Sequence, residues 1–339
     1  MDVLSDLLHR ARASSVLVRQ MIQRPPWSMT FADNPALTVV AALDGRASVR
    51  LDDDPRAAPV HLAAGDIALI SGTRRYTIAD DPTTPPQVVI RTNGTPAFEP
   101  VGPCRQSLAP RTYGDGLPGA TTLLRGAYDL RGDVGERLLA LLPPLAVVPA
   151  GPRTRPALDL LATETAQEEP GQDAVLNRLL DLVLVLALRA WCARPQATEL
   201  PSWYAALTTP AVGDALRLLH GDPARRWTVA ELAARVGQSR ATFAAHFTTA
   251  VGEPPLGYLT SWRMVLAADL LRDTDDTVAA VARAVGYSDA FAFSTAFKRA
   301  RGLSPSDWRQ QAVERPEPPP GPVPVAAGVR SPSRGADAS

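Results

Sequence analysis

The stretch Ala279-Ala-Val-Ala-Arg-Ala-Val-Gly286-Tyr-Ser288 repeats the pattern of an earlier one, Ala230-Glu-Leu-Ala-Ala-Arg-Val-Gly237-Gln-Ser239. Each copy continues with two phenylalanines, a glycine and a proline: Phe243, Phe247, Gly252 and Pro255 in the first, and Phe293, Phe297, Gly302 and Pro305 in the second. The offset between the copies is 49 residues up to the serine and 50 after it. Each copy predicts a short helix, a glycine turn and a second helix. Two such helix-turn-helix units in tandem predict a protein that reads two successive major-groove faces of DNA.

Local signals support both units. Thr228 and Glu231 fit a capping box, in which the Thr hydroxyl accepts from a free backbone N–H and the Glu reaches back. Turn glycines and N-caps are expected at matching places, Gly237 with Ser239 and Gly286 with Ser288. The paired phenylalanines are expected to anchor each second helix to the core.

A single helix is predicted between the two units, over residues 256–273, with leucines and Trp262 along one stripe. At about 1.5 Å per residue it would span about 27 Å. A rigid spacer of this length would hold two recognition helices about one DNA turn, roughly 34 Å, apart.

The N-terminal half has a different character. Residues 1 to about 20 show helical periodicity, whereas from Trp27 to about Arg131 short β-rich runs alternate with Asp-Gly and proline turns. These runs predict an all-β sandwich or barrel, and the cadence around Gly65-Asp66 is typical of a cupin jelly roll.

Two helices are predicted after a proline-rich break, over 157–169 and 172–193. The second carries apolar residues around nearly its whole circumference, so it must be buried on all sides. Burial inside its own domain and burial in a dimer interface are equally compatible with the spacing. Residues 312–339, rich in proline, glycine, alanine and serine, are predicted to be disordered.

Composition limits the functional classes. The formal net charge is +0, so DNA affinity must come from local placement of arginines. There is no apolar run of membrane-spanning length and no signal-peptide pattern, which predicts a cytoplasmic protein without a membrane partner.

The segment from Gly286 to Pro305 closely resembles the signature of the AraC/XylS-type transcription regulators, and residues 253–264 resemble the start of their linker helix. The N-terminal half is similar to the cupin-type sensor of a subgroup of that family. The resemblance implies a multidomain regulator: a cupin-like jelly-roll sensor over 1–148, a helical connector over 149–208 that is expected to dimerise, and an all-α tandem helix-turn-helix domain over 209–311, with units at about 228–250 and 277–300. Its expected partners are double-stranded DNA, a second copy of the chain, a small-molecule effector and, if it activates transcription, RNA polymerase.

DNA contacts are predicted in both units: Ser239, Arg240, Ala241, Thr242, Ala244, Ala245 and His246 in the first, and Ser288, Asp289, Phe291, Thr295, Lys298, Arg299 and Arg301 in the second. Relatives often carry large polar side chains where Ala244 and Ala245 stand, and an arginine where Thr295 stands. Alanines contact thymine methyls but do not form base-specific hydrogen bonds. Lys298, Arg299 and Arg301 are expected to contact phosphates.

Three other classes compete with this interpretation. A metal-dependent cupin enzyme is disfavoured because His61 is the only histidine in the β region, so no metal, cofactor or catalytic residue is expected. A thiol-based redox sensor would use Cys104, beside Arg105, but Arg125 stands where relatives carry a cysteine. A purely architectural DNA binder is disfavoured by the large sensor-like module.

Overall fold

Two β-sheets form most of the N-terminal half of the computed structural model, which describes residues 3–11, 14–54, 58–91, 98–100, 106–116, 118–130, 132–194 and 201–314. The strands are β1 Ser14–Gln23, β2 Ser28–Ala32, β3 Leu37–Asp44, β4 Arg46–Leu51, β5 Val60–Ala63, β6 Ile67–Ser71, β7 Tyr76–Ala79, β8 Val88–Arg91, β9 Phe98–Pro100, β10 Gln106–Ala109, β11 Thr112–Gly114, β12 Thr121–Asp129 and β13 Leu145–Val148. The first sheet has seven strands in the order β10-β11-β1-β12-β3-β6-β13, and the second has six in the order β5-β4-β7-β2-β8-β9.

The alternation of side chains along β12 gives the two faces of the seven-stranded sheet different roles. Leu123 belongs to the apolar core between the sheets, whereas Leu124 and Tyr128 belong to the core beneath the helices. Because successive residues of a strand point to opposite faces, one strand serves both cores. The predicted sheet-rich domain is confirmed.

Between the sheets lies a buried arginine, Arg125 of β12. Its Nε donates to the Tyr76 hydroxyl at 2.8 Å and its Nη2 donates to Asn34 Oδ1 at 2.9 Å, while the guanidinium stacks 4.8 Å from the centre of the Phe31 ring. These contacts satisfy a cation that would otherwise be costly to bury.

The helical prediction for residues 1–20 was wrong in its second half. Helix α1 covers only Val3–Arg10, and the chain then enters β1, which pairs with β12 and β11. The short apolar run of β1 has a strand partner about a hundred residues later, and pairing with that partner overrides the local periodicity.

Helices α2 Gly132–Leu139, α3 Thr154–Thr165 and α4 Gln172–Cys192 follow the jelly roll, and α3 and α4 pack on the seven-stranded sheet. The expectation that α4 is buried on all sides does not hold within one chain. Val175 and Leu182 are 42% and 45% exposed, and Leu179 and Leu186 are half-buried. An apolar stripe of α4 therefore stays uncovered in the monomer.

The C-terminal half is all helical: α5 Ser202–Ala205, α6 Val212–Gly221, α7 Val229–Arg235, α8 Arg240–Val251, α9 Pro255–Asp273, α10 Val278–Ala284, α11 Ala290–Arg301 and α12 Pro305–Glu314. The predicted spacer helix corresponds to α9, one residue longer at its start. Helix α12 includes 312–314, which were predicted to be disordered; residues 315–339 lie outside the described residues. Among the described helices, none is long and apolar enough to cross a membrane.

Candidate nucleic-acid interface

The two helix-turn-helix units have closely matching turns. Gly237 and Gly286 adopt left-handed φ values of 69° and 87°. The residue after each glycine donates its backbone N–H back into the preceding helix, Gln238 to Ala233 at 2.9 Å and Tyr287 to Ala282 at 2.8 Å. Such bonds satisfy carbonyls at the end of the first helix and turn the chain into the second.

Two of the three predicted helix caps, Thr228 and Ser239, are confirmed, and Thr277 caps α10 although it was not predicted. Thr228 accepts from the Glu231 N–H, Thr277 from Ala280 and Ser239 from Thr242. In the second unit, however, the cap of α11 is Asp289, whose carboxylate accepts from the N–H groups of Phe291 and Ala292, so the expectation for Ser288 was wrong. The turn after Gly286 is one residue longer, which moves the cap by one position and accounts for the change of offset in the repeat.

Only half of the predicted capping box at α7 forms. The Glu231 carboxylate accepts from Arg225 Nη2 at 2.5 Å and lies 3.8 Å from Arg235 Nε. It therefore forms ion pairs beside the helix start, which draw it away from the Thr228 N–H.

Fully buried phenylalanines anchor both recognition helices. The rings of Phe243 and Phe247 lie 5.7 Å apart, as do those of Phe293 and Phe297. Phe247 also meets Tyr258 of α9 edge-on, which fixes the first recognition helix against the spacer helix. The two units thus share one core with α9.

Most of the residues predicted to contact DNA from α8 lie on its exposed outer face. Arg240, Ala241, Thr242, Ala245 and His246 are exposed, and Ala244 is half-buried. The Thr242 hydroxyl is 2.8 Å from the Ser239 hydroxyl, so both partly serve the cap. Arg240 and His246 remain the two large polar side chains that project from this helix.

The outer face of α11 is less polar at its start than at its end. Phe291 and Ala292 are exposed in the first turn, and Lys298 and Arg299 in the last. The Thr295 hydroxyl donates to the Phe291 carbonyl at 3.0 Å. The exposed positive charge of α11 therefore lies in its last turn.

Arg301, the third predicted basic contact, is placed differently. Its guanidinium forms an ion pair with Asp133 at the start of α2, and the two side chains are only 23% and 10% exposed. Burial raises the pKa of Asp133 to about 6, although Arg301 opposes the rise; Asp269 adds to it. Sequence reasoning had no signal for this pair, because its partners belong to different domains.

The contact at Asp133 is part of a larger junction between the domains. The Asp269 carboxylate of α9 accepts from the backbone N–H groups of Asp133 and Val134 at 2.8 and 3.1 Å, so it caps α2 from the other domain. Beside it, Arg137 of α2 stacks 5.2 Å from Tyr258 and 5.5 Å from Trp262.

A second contact joins α1 to α6. His220 lies 3.6 Å from the Asp6 carboxylate through Nδ1 and 2.6 Å from the Tyr258 hydroxyl through Nε2. Burial lowers the pKa of His220 despite the nearby Asp6 carboxylate, which opposes this shift. A cleft of about 610 Å³ runs beside these contacts and is lined by both domains, among others by Asp6, Arg10, Asp222 and Asp273.

The residues considered for other functions are dispersed. His61 is exposed on β5, and Cys104 lies outside the described residues. Burial raises the pKa of the Cys192 thiol near the end of α4, which lowers its reactivity. Among the described residues, no group of three or more His, Cys, Asp or Glu side chains is arranged to hold a metal.

Both halves of the chain match known protein families. A family profile described as Cupin covers residues 2–193, and one described as Helix-turn-helix domain covers residues 232–311. A protein of Streptomyces antibioticus described as an AraC-like transcription regulator is 34% identical over 318 residues, which is 92% of this chain and 100% of that protein. One from Streptomyces lividans with the same description is 35% identical over 315 residues, 91% of this chain and 98% of that protein.

Among solved structures, the DNA-binding domain of AdpA, a global transcriptional factor, in complex with a target DNA is 29% identical. The structural match covers 32% of this chain and 99% of the solved domain, with a TM-score of 0.31.

Proposed function

The chain belongs to the family of AraC-like transcription regulators, and we propose that it binds double-stranded DNA through both helix-turn-helix units and changes transcription when its N-terminal domain senses a signal. The observation that carries this proposal is the pair of matched units on one spacer helix. Helix α9 has 19 residues and so spans about 28 Å, close to one DNA turn. Such a regulator works on the chromosome, which places it in the cytoplasm, on the nucleoid.

DNA contacts are proposed from the exposed faces of α8 and α11 and from the caps at their starts. On α8, Arg240 and His246 supply hydrogen bonds to base edges, while Ala241, Ala244 and Ala245 contact the groove by van der Waals packing. On α11, Lys298 and Arg299 neutralise phosphates, with Phe291 and Thr295 nearer the bases. DNA phosphates approach proteins at helix N-termini. The residues proposed to flank the DNA backbone there are Ser239, Thr242, Ser288 and Asp289.

Signal transfer is proposed to pass through the junction of α1 and α2 with α6 and α9. A ligand that binds the sensor shifts transcription only if it binds the docked and undocked arrangements with different affinity. The hydrogen bonds that the Asp269 carboxylate accepts from α2, and the ion pair of Asp133 with Arg301, form only when α2 is docked. These contacts therefore differ between the two arrangements. The effector is proposed to be a small molecule, and an activating mode would add a contact with RNA polymerase.

We also propose a homodimer that forms through α4. Its exposed residues Val175 and Leu182 and its half-buried residues Leu179 and Leu186 are spaced by four, three and four, which is the seam of a coiled coil. A second copy buries the same stripe on both chains and brings four recognition helices to one operator.

The dimer is tested by sedimentation of the parent, of Leu182→Lys and of Leu108→Lys, a control residue on β10 that is 40% exposed. The lysine on the stripe is expected to give monomers, and the control is expected to remain dimeric. A parent that stays monomeric at all concentrations, or two variants that behave alike, contradicts this interface.

DNA binding is tested by immunoprecipitating the full chain from cells and sequencing the recovered DNA. A shared sequence motif at promoters is expected, and recovery is expected to fall to background for a variant with Arg240→Ala and Lys298→Ala. If the parent and the variant recover the same unselected DNA, the proposed mode of reading is wrong. At a mapped promoter, Asp269→Ala is expected to weaken the response to the signal while DNA binding persists.

The relatives are described as AraC-like transcription regulators, and we propose that this chain has no catalytic activity. His61 supports this view, since its exposed position on β5 lies away from the interior of the jelly roll, where a cupin holds its reactants.

A further inference from the structure

The most exposed large apolar side chain in the described residues is Phe291, in the first turn of the second recognition helix. It is 81% exposed, whereas Phe293 and Phe297 of the same helix are fully buried. Its ring contributes little to the core, so the fold gives no reason for an aromatic residue here. A single exposed apolar side chain needs no partner in general, so the inference rests on where this ring lies, in the first turn of a recognition helix.

The polar groups around Phe291 are already engaged. Both carboxylate oxygens of Asp289 accept backbone N–H groups, at 3.0 Å from Phe291 and 3.1 Å from Ala292. The Thr295 hydroxyl, one turn further on, donates to the Phe291 carbonyl. The leading end of α11 therefore offers an apolar surface, made of Phe291 and Ala292, where recognition helices commonly offer hydrogen bonds.

The major groove contains one apolar feature, the C5-methyl group of thymine, and phenylalanine is among the side chains that contact it. The first turn of a recognition helix is the part that enters the groove most deeply. Lys298 and Arg299, exposed at the other end of α11, are placed to hold the helix on the phosphates.

We propose that the Phe291 ring packs against a thymine methyl group in the half-site read by the second helix-turn-helix unit, and so selects thymine there by shape and apolar contact. This proposal rests on the proposed DNA-binding function and adds to it a base class and the residue that reads it. A pyrimidine without the methyl group leaves the ring facing water at the same position.

The test removes single methyl groups from the DNA. A duplex is first selected from random sequences with the full-length protein, and each thymine is then replaced in turn by deoxyuridine, which keeps every hydrogen-bonding group. Affinity is measured by fluorescence anisotropy for the parent, Phe291→Ala and Phe291→Leu. Because the side chain is exposed, both variants are expected to keep the parent's melting temperature.

For the parent, deoxyuridine at one or two adjacent positions of one half-site is expected to weaken binding about four-fold, the value for one buried methyl group. Phe291→Ala is expected to bind the thymine and uracil duplexes equally, and Phe291→Leu to keep part of the difference. A cytosine at the same position is expected to bind better when it carries a 5-methyl group.

Three results separate the possible failures. If no sequence is selected at all, the proposed DNA-binding function fails. If a sequence is selected but no deoxyuridine substitution weakens the parent, the thymine contact is wrong and the function stands. If Phe291→Ala weakens the thymine and uracil duplexes by the same factor and leaves the four-fold difference intact, the ring contacts another part of the DNA and the proposal is overturned.

Discussion

Arg301 provides a quantitative test of how the docked sensor affects DNA binding. Lys298 and Arg299 are exposed on α11, whereas Arg301 is paired with Asp133 of the sensor domain. Each phosphate contact makes the slope of log K against log salt more negative by about 0.9, which amounts to about 3.5-fold in affinity between 50 and 200 mM salt. Lys298→Ala and Arg299→Ala are each expected to make the slope shallower by about this amount.

Arg301→Ala is expected to leave the slope of the full-length protein nearly unchanged, because its guanidinium is occupied by Asp133 and does not displace counterions from DNA. Removing the arginine alone leaves a buried carboxylate without its cation. The matched control is therefore the double variant Arg301→Ala with Asp133→Asn.

Fluorescence anisotropy titrations at several salt concentrations give the slopes directly. If Arg301→Ala and the double variant both make the slope shallower by as much as Lys298→Ala does, Arg301 contacts phosphate in the complex. The docked arrangement would then differ from the one that binds DNA.

The remaining predictions concern stability. Gly286→Ala is expected to destabilise the fold more than Gly237→Ala does in urea unfolding. Both positions require a left-handed backbone, which costs alanine about 1–2 kcal/mol. A Cβ at 286 would in addition lie 2.4 Å from a backbone carbonyl oxygen, whereas nothing lies within 4 Å of a Cβ at 237. Equal losses would contradict this. Asp289→Ala is expected to lower the free energy of unfolding by about 1 kcal/mol because an N-cap is lost. Ser288→Ala is expected to lower it by less than about 0.5 kcal/mol. A larger loss for Ser288→Ala would show that Ser288, and not Asp289, is the cap. The pKa of Asp133 is raised from 3.8 to about 6 in the docked fold, so its contribution to stability is fully present below pH 3.8 and is lost as pH rises through about 6. The melting temperature of Asp133→Asn relative to the parent is thus expected to fall on acidification from about pH 7.5 to about pH 5, and a rise would refute the assigned sign.

The helical half of the protein follows from its sequence because its signals are local. Capping hydroxyls, turn glycines and phenylalanines four residues apart act within one or two helical turns, so they predict α7 to α11 closely. Ser288 was misassigned because one extra turn residue decides which side chain reaches the free N–H groups, and that depends on the turn's three-dimensional path.

The rest of the fold depends on contacts between residues that are distant in sequence. The strand β1 is stabilised by its pairing with β12 and not by its own periodicity. Asp269 and the α2 backbone that it caps are 136 residues apart, and neither segment has a feature that points to the other. The junction between sensor and DNA-binding domain was therefore visible only in the folded chain.

The cap that α9 places on α2 also limits how this regulator can be recombined. A chimaera that joins its sensor to the DNA-binding half of another regulator keeps α2 but replaces the helix that holds Asp269. Unless the new helix has a carboxylate at the same place, the N–H groups of Asp133 and Val134 at the start of α2 lose their acceptor. Such a hybrid is expected to fold and bind DNA yet ignore the signal, and restoring one aspartate is the first repair to attempt.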